Sequence, residues 1–428
     1  MPDHRNVLFI CTDQQQAHAI GAIDDSFDTP NTDQLVNRGT LFTGCHSTHP
    51  QCSPARSSLV TGLYPHQTGV HTLSNWGPYE LDPDSPSVGR AFRNAGYDPM
   101  WIGRWDLGTD NEWDLGWRTR NLDVTGTGSD ETPRRDEVTV TEAVDYLDHC
   151  ADEPFFLTAS FNLPHPPFYT DDACGERYDP VGMAPPESWE DDLADKPVHH
   201  RRRAAERTDE MTEDDVRHMR FQYRTMVSRV DDHVGRILDA LERNGLRDDT
   251  AVVLTADHGD MQGAHRLTRK GAVAYDEILR VPMVVDIPWR QSERDRIPDL
   301  CSLDSVPSTL LDAADLPTDA VAGESLLPAL DRTAPPDDEV VFFEHKHANG
   351  EDHPYRGVRT REWKFVENLT VDVDELYHLT EDPNEIENLA GTPERADIEA
   401  TLRERVADWW ERTDGDLEKW TRPADRYD

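Results

Sequence analysis

The chain has 428 residues, 36% of them hydrophobic and 30% charged, with 85 acidic side chains against 43 basic ones and a formal net charge of −42. That length suits one large domain and a smaller companion, read here as residues 1–335 and 336–428. The charge excludes nucleic acid as a partner, because phosphate neutralisation needs basic surface, and no apolar run reaches the about 20 residues of a membrane span.

Only five basic residues are lysine: Lys196, Lys270, Lys346, Lys364 and Lys419. An acidic, lysine-poor surface keeps a protein dispersed where salt screens charge, so a chain adapted to high salt is expected. Its first residues, MPDHRNVLFICTDQQ, lack the charged region, apolar core and cleavage site of an export signal. Cys11, Cys45, Cys52, Cys150, Cys174 and Cys301 have no framework spacing. Free thiols in a reducing cytoplasm follow from the two observations. Oligomeric state is not legible.

Short apolar runs at 7–11, 100–102, 155–160, 252–255 and 282–287, bounded by turn residues, read as buried strands of a mostly parallel sheet with helices between them. Segments 124–136 and 171–212 are polar and read as surface excursions, with Arg201 to Arg203 as local salt-bridge partners. A helix precedes the fourth strand: Met219, Tyr223, Met226, Val230, Val234, Ile237 and Leu241 step by three or four, Thr212 caps its start with Asp215 behind it, and Gly245 ends it. That stripe reads as core packing alone. Pro and Asp accumulate at 317–338. Runs at 340–344, 363–366 and 375–379 then suggest a small antiparallel sheet, and 394–412 a terminal helix with Ile398, Leu402, Val406 and Trp409 on one face.

Open α/β sheets bind ligands beyond the carboxyl ends of their strands. Four expected strands deliver polar residues there: Asp13 and Gln14, Arg104 and Asp106, His165, and Asp257 with His258. One such Asp is usually a turn residue; four such endings indicate one convergent site. A lone Cys is more often a small core residue than a nucleophile. Cys52, however, stands in PQCSPARSSLVTG, where Cys52, Pro54, Arg56, Thr61 and Gly62 hold a spacing hard to produce by chance.

That stretch resembles the signature of the type I sulfatases. The opening ICTDQQ, NLPHPPF, LTADHGD, RKGAVAYDEILRVP and DELYHLTEDPNEIENLA resemble further segments of those sulfatases and their phosphonate monoester hydrolase relatives, in the same order. The resemblance implies an α/β fold, an alkaline-phosphatase-like α/β/α sandwich on a mostly parallel sheet, with a small C-terminal α+β domain carrying an antiparallel sheet. It implies that Cys52 is oxidised to formylglycine by a formylglycine-generating enzyme. The hydrated aldehyde then attacks the sulfur of a sulfate ester, and a covalent hemisulfate eliminates sulfate. Asp13, Gln14, Asp257, His258 and the modified Cys52 would hold one divalent metal. Carboxylates and an amide suit Ca²⁺, while the imidazole leaves Mn²⁺ as the alternative. Asp257 is also placed to accept a proton, Arg56 to hold the diol, and Lys270 and His165 to bind sulfate oxygens and protonate the leaving alcohol.

The family's G-K-W-H-L-G is here Gly103, Arg104, Trp105, Asp106, Leu107, Gly108. Arg104 keeps the positive charge. Asp106 replaces the family histidine credited with deprotonating the second diol hydroxyl, and two roles stay open for it: base, or partner of Arg104. A phosphonate monoester or phosphodiester hydrolase on the same scaffold is the alternative activity, and an inactive binder of sulfated ligands a remoter one. The ester itself, carbohydrate, aryl or alkyl, is unspecified, with loops 71–86, 124–136 and 171–212 as candidates for its recognition. His46, His49, His66 and His71 flank the nucleophile loop and read as supporting or solvated. Asn75 and Trp76 are weaker candidates for facing substrate, and His265 for the metal's surroundings.

Overall fold

Strands β1 (Asn6–Thr12), β2 (Thr40–His46), β3 (Asp98–Arg104), β4 (Arg118–Asp123), β5 (Phe155–Ser160), β6 (Thr250–Ala256), β7 (Met283–Asp286) and β8 (Arg296–Ser302) join in one sheet, in the order β4-β3-β5-β1-β6-β7-β2-β8. This computed structural model describes residues 5–77, 79–123, 132–150, 154–180, 183–208, 210–290, 292, 294–334, 336, 338–347, 352–371 and 373–421. Only β7 runs antiparallel to its neighbours β6 and β2.

Side chains alternate across a strand, so a strand buried on both faces reads as a continuous apolar run. Val7, Phe9, Trp101, Phe156 and Val253 point to one side, where helices Cys52–Thr61, Val88–Asn94 and Val306–Ala313 cover them. Leu8, Ile10, Ile102, Leu157 and Leu254 point to the other, under helices Pro30–Arg38, Thr132–His149 and Glu213–Arg243. The result is the expected three-layer sandwich. Thr212 and Asp215 form the expected capping box on the longest helix, and Gly245, at φ 67°, follows its end.

Strands β9 (Val341–His345), β10 (Tyr355–Arg359), β11 (Trp363–Asn368) and β12 (Glu375–His378) form a four-stranded antiparallel sheet. Helix Ala396–Arg412 lays Leu402, Val406, Trp409 and Trp410 against its Phe342, Val358 and Phe365. The opposite face meets the segment that leads into β7: Ala274 and Leu279 pack with Phe343, Tyr355 and Val366.

Several expectations need correction. Strands β2, β4, β8 and β10 were not anticipated; β8 alternates exposed and buried positions, and β10, YRGVR, carries two arginines and a glycine. Segment 171–212 is no mere excursion. It holds helix Val198–Thr208, whose His199, His200 and Arg203 are buried, and Arg203 donates to the Lys270 carbonyl. Residues 124–131 lie outside the described residues, and 132–136 begin a helix. Among the described residues no helix is long and apolar enough to cross a membrane, and all six cysteines are free.

Candidate active site and metal centre

The carboxyl ends of β3, β5, β1 and β6 lie side by side, so the four polar endings meet at one pole of the sheet. Cys52 arrives from beyond β6. The loop after β2 is carried across by Ser47, whose N–H donates to Leu279 O at 2.6 Å and whose hydroxyl donates to Asp257 O at 2.6 Å. Helix Cys52–Thr61 then starts at the nucleophile, and all ten of its residues are buried. Gly62 closes it at φ 75°, where a Cβ would overlap the Ala322 carbonyl; only glycine meets both conditions cheaply.

Four groups surround the Cys52 sulfur. Lys270 Nζ lies 2.7 Å away, His258 Nε2 3.3 Å, an Arg104 terminal nitrogen 3.4 Å and Asp13 Oδ1 3.7 Å. Burial, reinforced by Asp13, pushes the thiol up against the pull of Lys270 and Arg104. Asp13 goes the other way: burial would raise its carboxyl, but Arg104, Lys270, His165 and Arg56 together hold it well below the usual range. Burial and Lys270 keep His165 neutral. Its Nδ1 lies 2.6 Å from Pro166 O and so donates to it, leaving Nε2 available.

Arg56 does not bond the sulfur among its described contacts. Its fork spans the two carboxylates, Nε to Asp257 Oδ2 at 2.9 Å and an outer nitrogen to Asp13 Oδ2 at 3.2 Å, and also reaches Ser160 Oγ and Arg104 O. Arg104 bonds Asp13 Oδ2 at 2.9 Å, and both its Nε and an outer nitrogen reach Asp106 Oδ2, at 2.8 and 2.7 Å. Asp106 therefore sits behind Arg104. These charges are buried and mutually paired, which offsets the desolvation of each.

A divalent metal fits the donors present. One oxygen or nitrogen each from Asp13, Asp257 and His258, with Cys52 Sγ, all fall within 4.8 Å of one another. His258 Nδ1 lies 2.8 Å from Gly259 O, fixing the tautomer that leaves Nε2 as a lone pair toward the site. Gln14 is held in the left-handed region at φ 71°. Its N–H donates to Asp257 Oδ1 at 3.0 Å, its carbonyl accepts from Tyr223 Oη at 3.0 Å, and its amide nitrogen donates to Asp260. The amide oxygen is buried without a protein partner, the mark of an atom awaiting one.

The structure thus brings together all of the expected residues Asp13, Gln14, Cys52, Arg56, Arg104, Asp106, His165, Asp257, His258 and Lys270. Other expectations do not hold. Tyr223 belongs to the stripe read as packing alone, yet its hydroxyl pins Gln14. His265 bonds Asp191 at 2.7 Å and stacks on Tyr275, 3.8 Å between centroids, in a different cluster. His46, buried and bonded to Gly44 O, and His66, paired with Glu344 at 2.6 Å, are by contrast supporting residues, one of the two roles read for them. Asn75 is exposed, and the Trp76 side chain lies outside the described residues. Missed altogether were Ser47, Ser160, Asp260 and Asp136, which accepts from the N–H groups of Asn162 and Leu163 and so fixes the His165 loop. Asp260 lay within TADHGD and was the one legible signal among them.

A three-layer sandwich with buried carboxylates, cations and a helix-borne Cys at the strand ends defines a hydrolase of the alkaline-phosphatase-like class. The sulfatase family model matches residues 5–316, and that of the N-sulphoglucosamine sulphohydrolase C-terminal region matches 263–412. The chain is 32% identical to the uncharacterised sulfatase YidJ of Escherichia coli (strain K12), over 95% of this chain and 87% of that protein. It is 28% identical to the delta 4,5-hexuronate-2-O-sulfatase of Bacteroides thetaiotaomicron, over 98% and 92%. Its fold matches phosphonate monoester hydrolase of Agrobacterium radiobacter with a TM-score of 0.81, 23% identity and 96% of each chain covered. The chain belongs to the sulfatase family and is a sulfuric ester hydrolase.

Proposed function

We propose that the protein hydrolyses the sulfate ester of a carbohydrate, using residue 52 as nucleophile after a formylglycine-generating enzyme has oxidised the cysteine. The observation that carries this reading is the convergence of Lys270, His258, Arg104 and Asp13 on the Cys52 sulfur, which stands where the oxygens of an aldehyde hydrate would lie. The unmodified thiol is held protonated by burial, and a thiol is a poor nucleophile beside a thiolate. The name of the hexuronate sulfatase relative supports a saccharide ester.

Asp13, Gln14, Asp257 and His258 would hold a divalent cation, Ca²⁺ first and Mn²⁺ second, which when bound would supply Lewis acidity toward a hydroxyl at residue 52 and an ester oxygen. The chain does the rest. Arg56 holds both metal-facing carboxylates in place, Nε on Asp257 and one outer nitrogen on Asp13. Lys270 and Arg104 face the transferring group with fixed positive charge, which stabilises the transition state without reorganisation. Lys270 is the group that hands a proton to the leaving alcohol, and His165, neutral with its hydrogen on Nδ1, offers Nε2 as an acceptor beside it. Asp106 orients Arg104 and is assigned that role in place of the family base. The acidic surface and six free thiols support a reducing, high-salt setting.

Cleavage after arginine releases residues 39–56. In protein matured in its own host, that peptide should be lighter than the encoded sequence and react with an aldehyde probe. An unmodified thiol in fully active enzyme would end the formylglycine reading. The Arg104 and Asp106 replacements favour a phosphonate monoester hydrolase as the second reading; faster turnover of an aryl phosphonate than of any sulfate ester would establish it instead.

A further inference from the structure

Beside the nucleophile loop lies a cluster of buried polar side chains that the proposed reaction does not use. His49 lies three residues before Cys52, and Gln51 precedes it directly. From the small sheet, His345 ends β9, with Lys346 and His347 following; the Glu344 N–H donates to Thr48 O at 3.0 Å, which ties β9 to the nucleophile loop. The His49 and His345 rings stack with centroids 5.2 Å apart, and His71 closes the far side, 6.5 Å from the His347 ring.

These side chains are buried yet unsatisfied. His49, Gln51 and His345 are fully buried and His347 is 5% exposed, and His49 Nε2, His345 Nε2, His347 Nε2 and both amide atoms of Gln51 have no protein partner. Buried polar atoms without partners are rare and call for an occupant. Their roles can be read from the bonds made on the other side of each ring. His49 Nδ1 accepts from the Gln51 N–H at 3.2 Å, so its Nε2 carries a hydrogen. His71 Nδ1 accepts from Lys346 Nζ at 3.4 Å, so its Nε2 does too. His345 Nδ1 lies 3.0 Å from His353 O and donates to it, so its Nε2 is an acceptor. Among the described residues Lys346 is the one cation of this cluster, resting over the Trp420 ring at 5.6 Å and attracted by Asp352.

Donors on His49, Gln51 and His71 and an ammonium on Lys346, beside acceptors on His345 and Gln51, match a sugar that bears a second negative group among hydroxyls. We propose that His49, Gln51, His71, His345, Lys346 and His347 form a subsite for an anionic substituent, a carboxylate or a second sulfate, on the saccharide whose ester is cleaved. This deepens the carbohydrate sulfatase reading and rests on it. On a surface of net charge −42 an anionic substrate needs such a local cation. Charge-assisted hydrogen bonds of this kind give both orientation and discrimination.

The test is calorimetric titration of the full-length, metal-loaded protein with three unsulfated or monosulfated disaccharides of one size: a uronate-bearing one, its neutral glucose counterpart, and the neutral one carrying a single sulfate remote from the scissile position. An anionic ligand should bind about tenfold more tightly than the neutral one, the weight of one charged hydrogen bond. Lys346→Met, which keeps the packing on Trp420, and His49→Asn, which keeps an acceptor for the Gln51 N–H, should each remove most of that preference, and Lys346→Arg should restore it. Preference for the uronate identifies a carboxylate subsite and preference for the sulfate a sulfate subsite. Equal binding of all three, or a preference that survives both substitutions, overturns the proposal. Hydrolysis of an aryl sulfate by the same preparation is followed in parallel: its absence with the anion preference intact sinks the sulfatase reading and leaves the subsite standing.

Discussion

Two buried charge clusters lie on either side of segment 270–276, and they are finished differently. At the strand ends, Lys270, Arg104 and Arg56 face Asp13, Asp257 and Cys52, while Gln14 Oε1 is left without a partner. Beneath the small sheet, Lys364 is equally buried but spent on protein groups: its ammonium donates to Ala274 O at 2.9 Å and Asp276 at 2.6 Å and pairs with Glu385 at 2.6 Å. Burial and charge alone do not distinguish a reactive cluster from a structural one. The distinction is what the buried ammonium faces: two carboxylates and a carbonyl at Lys364, the sulfur of residue 52 at Lys270.

Substitutions in the two clusters should separate activity from stability. Cys52→Ala should abolish turnover, a loss of about 10⁴-fold or more, with cooperative urea unfolding retained; residual turnover at a hundredth of the native rate would move the nucleophile elsewhere. Lys364→Met strands two carboxylates and should cost about 3–5 kcal/mol in urea unfolding, the reverse signature. Asp260→Asn lies between them. It loosens the Gln14 amide without touching the sulfur, and calorimetry should find metal binding weakened by about 10–100-fold, the usual weight of a ligand's hydrogen-bond partner. An unaltered affinity would remove Gln14 from the metal.

The smallest effect concerns pH. Burial would lower His66, but Glu344, through charge and a hydrogen bond, and the Thr413 carbonyl raise it above the ordinary imidazole value. A raised folded pKa stabilises fully below the unfolded value, about 6.5, and that contribution fades as pH climbs through the folded value. Unfolding free energy should therefore decline above pH 6.5. Glu344→Gln should flatten that slope and cost about 1–3 kcal/mol at pH 6. A slope that persists in the variant would assign the titration to another group.

What the sequence disclosed and what it hid follow one rule. Asp13, Arg104, His165, Asp257 and His258 were legible because each follows a strand whose apolar run is unmistakable. Cys52 and Arg56 were legible because their partners are one helical turn apart. β2 and β8 hid because they lie beyond the antiparallel β7, where Thr, Gly, Arg and Asp interrupt the apolar pattern. The long-range pairs hid for a different reason: Tyr223 lies 209 residues from Gln14, and no local periodicity reveals a hydroxyl's destination. The same distance concealed the meeting of His49 with His345.

Segment 270–276 carries a consequence for how the enzyme comes into being. The Lys270 carbonyl is held by Arg203, Ala272 O by His199 at 2.9 Å, Val273 O by Tyr355 at 3.0 Å, Ala274 O by Lys364, and the Asp276 N–H by Glu385 at 2.7 Å. Three of these five clasps belong to residues synthesised long after Lys270 itself. The segment that carries Lys270 is thus tied to strands β10 and β11 and to Glu385, all of which leave the ribosome after it. A product truncated before the small sheet should therefore be born without sulfatase activity.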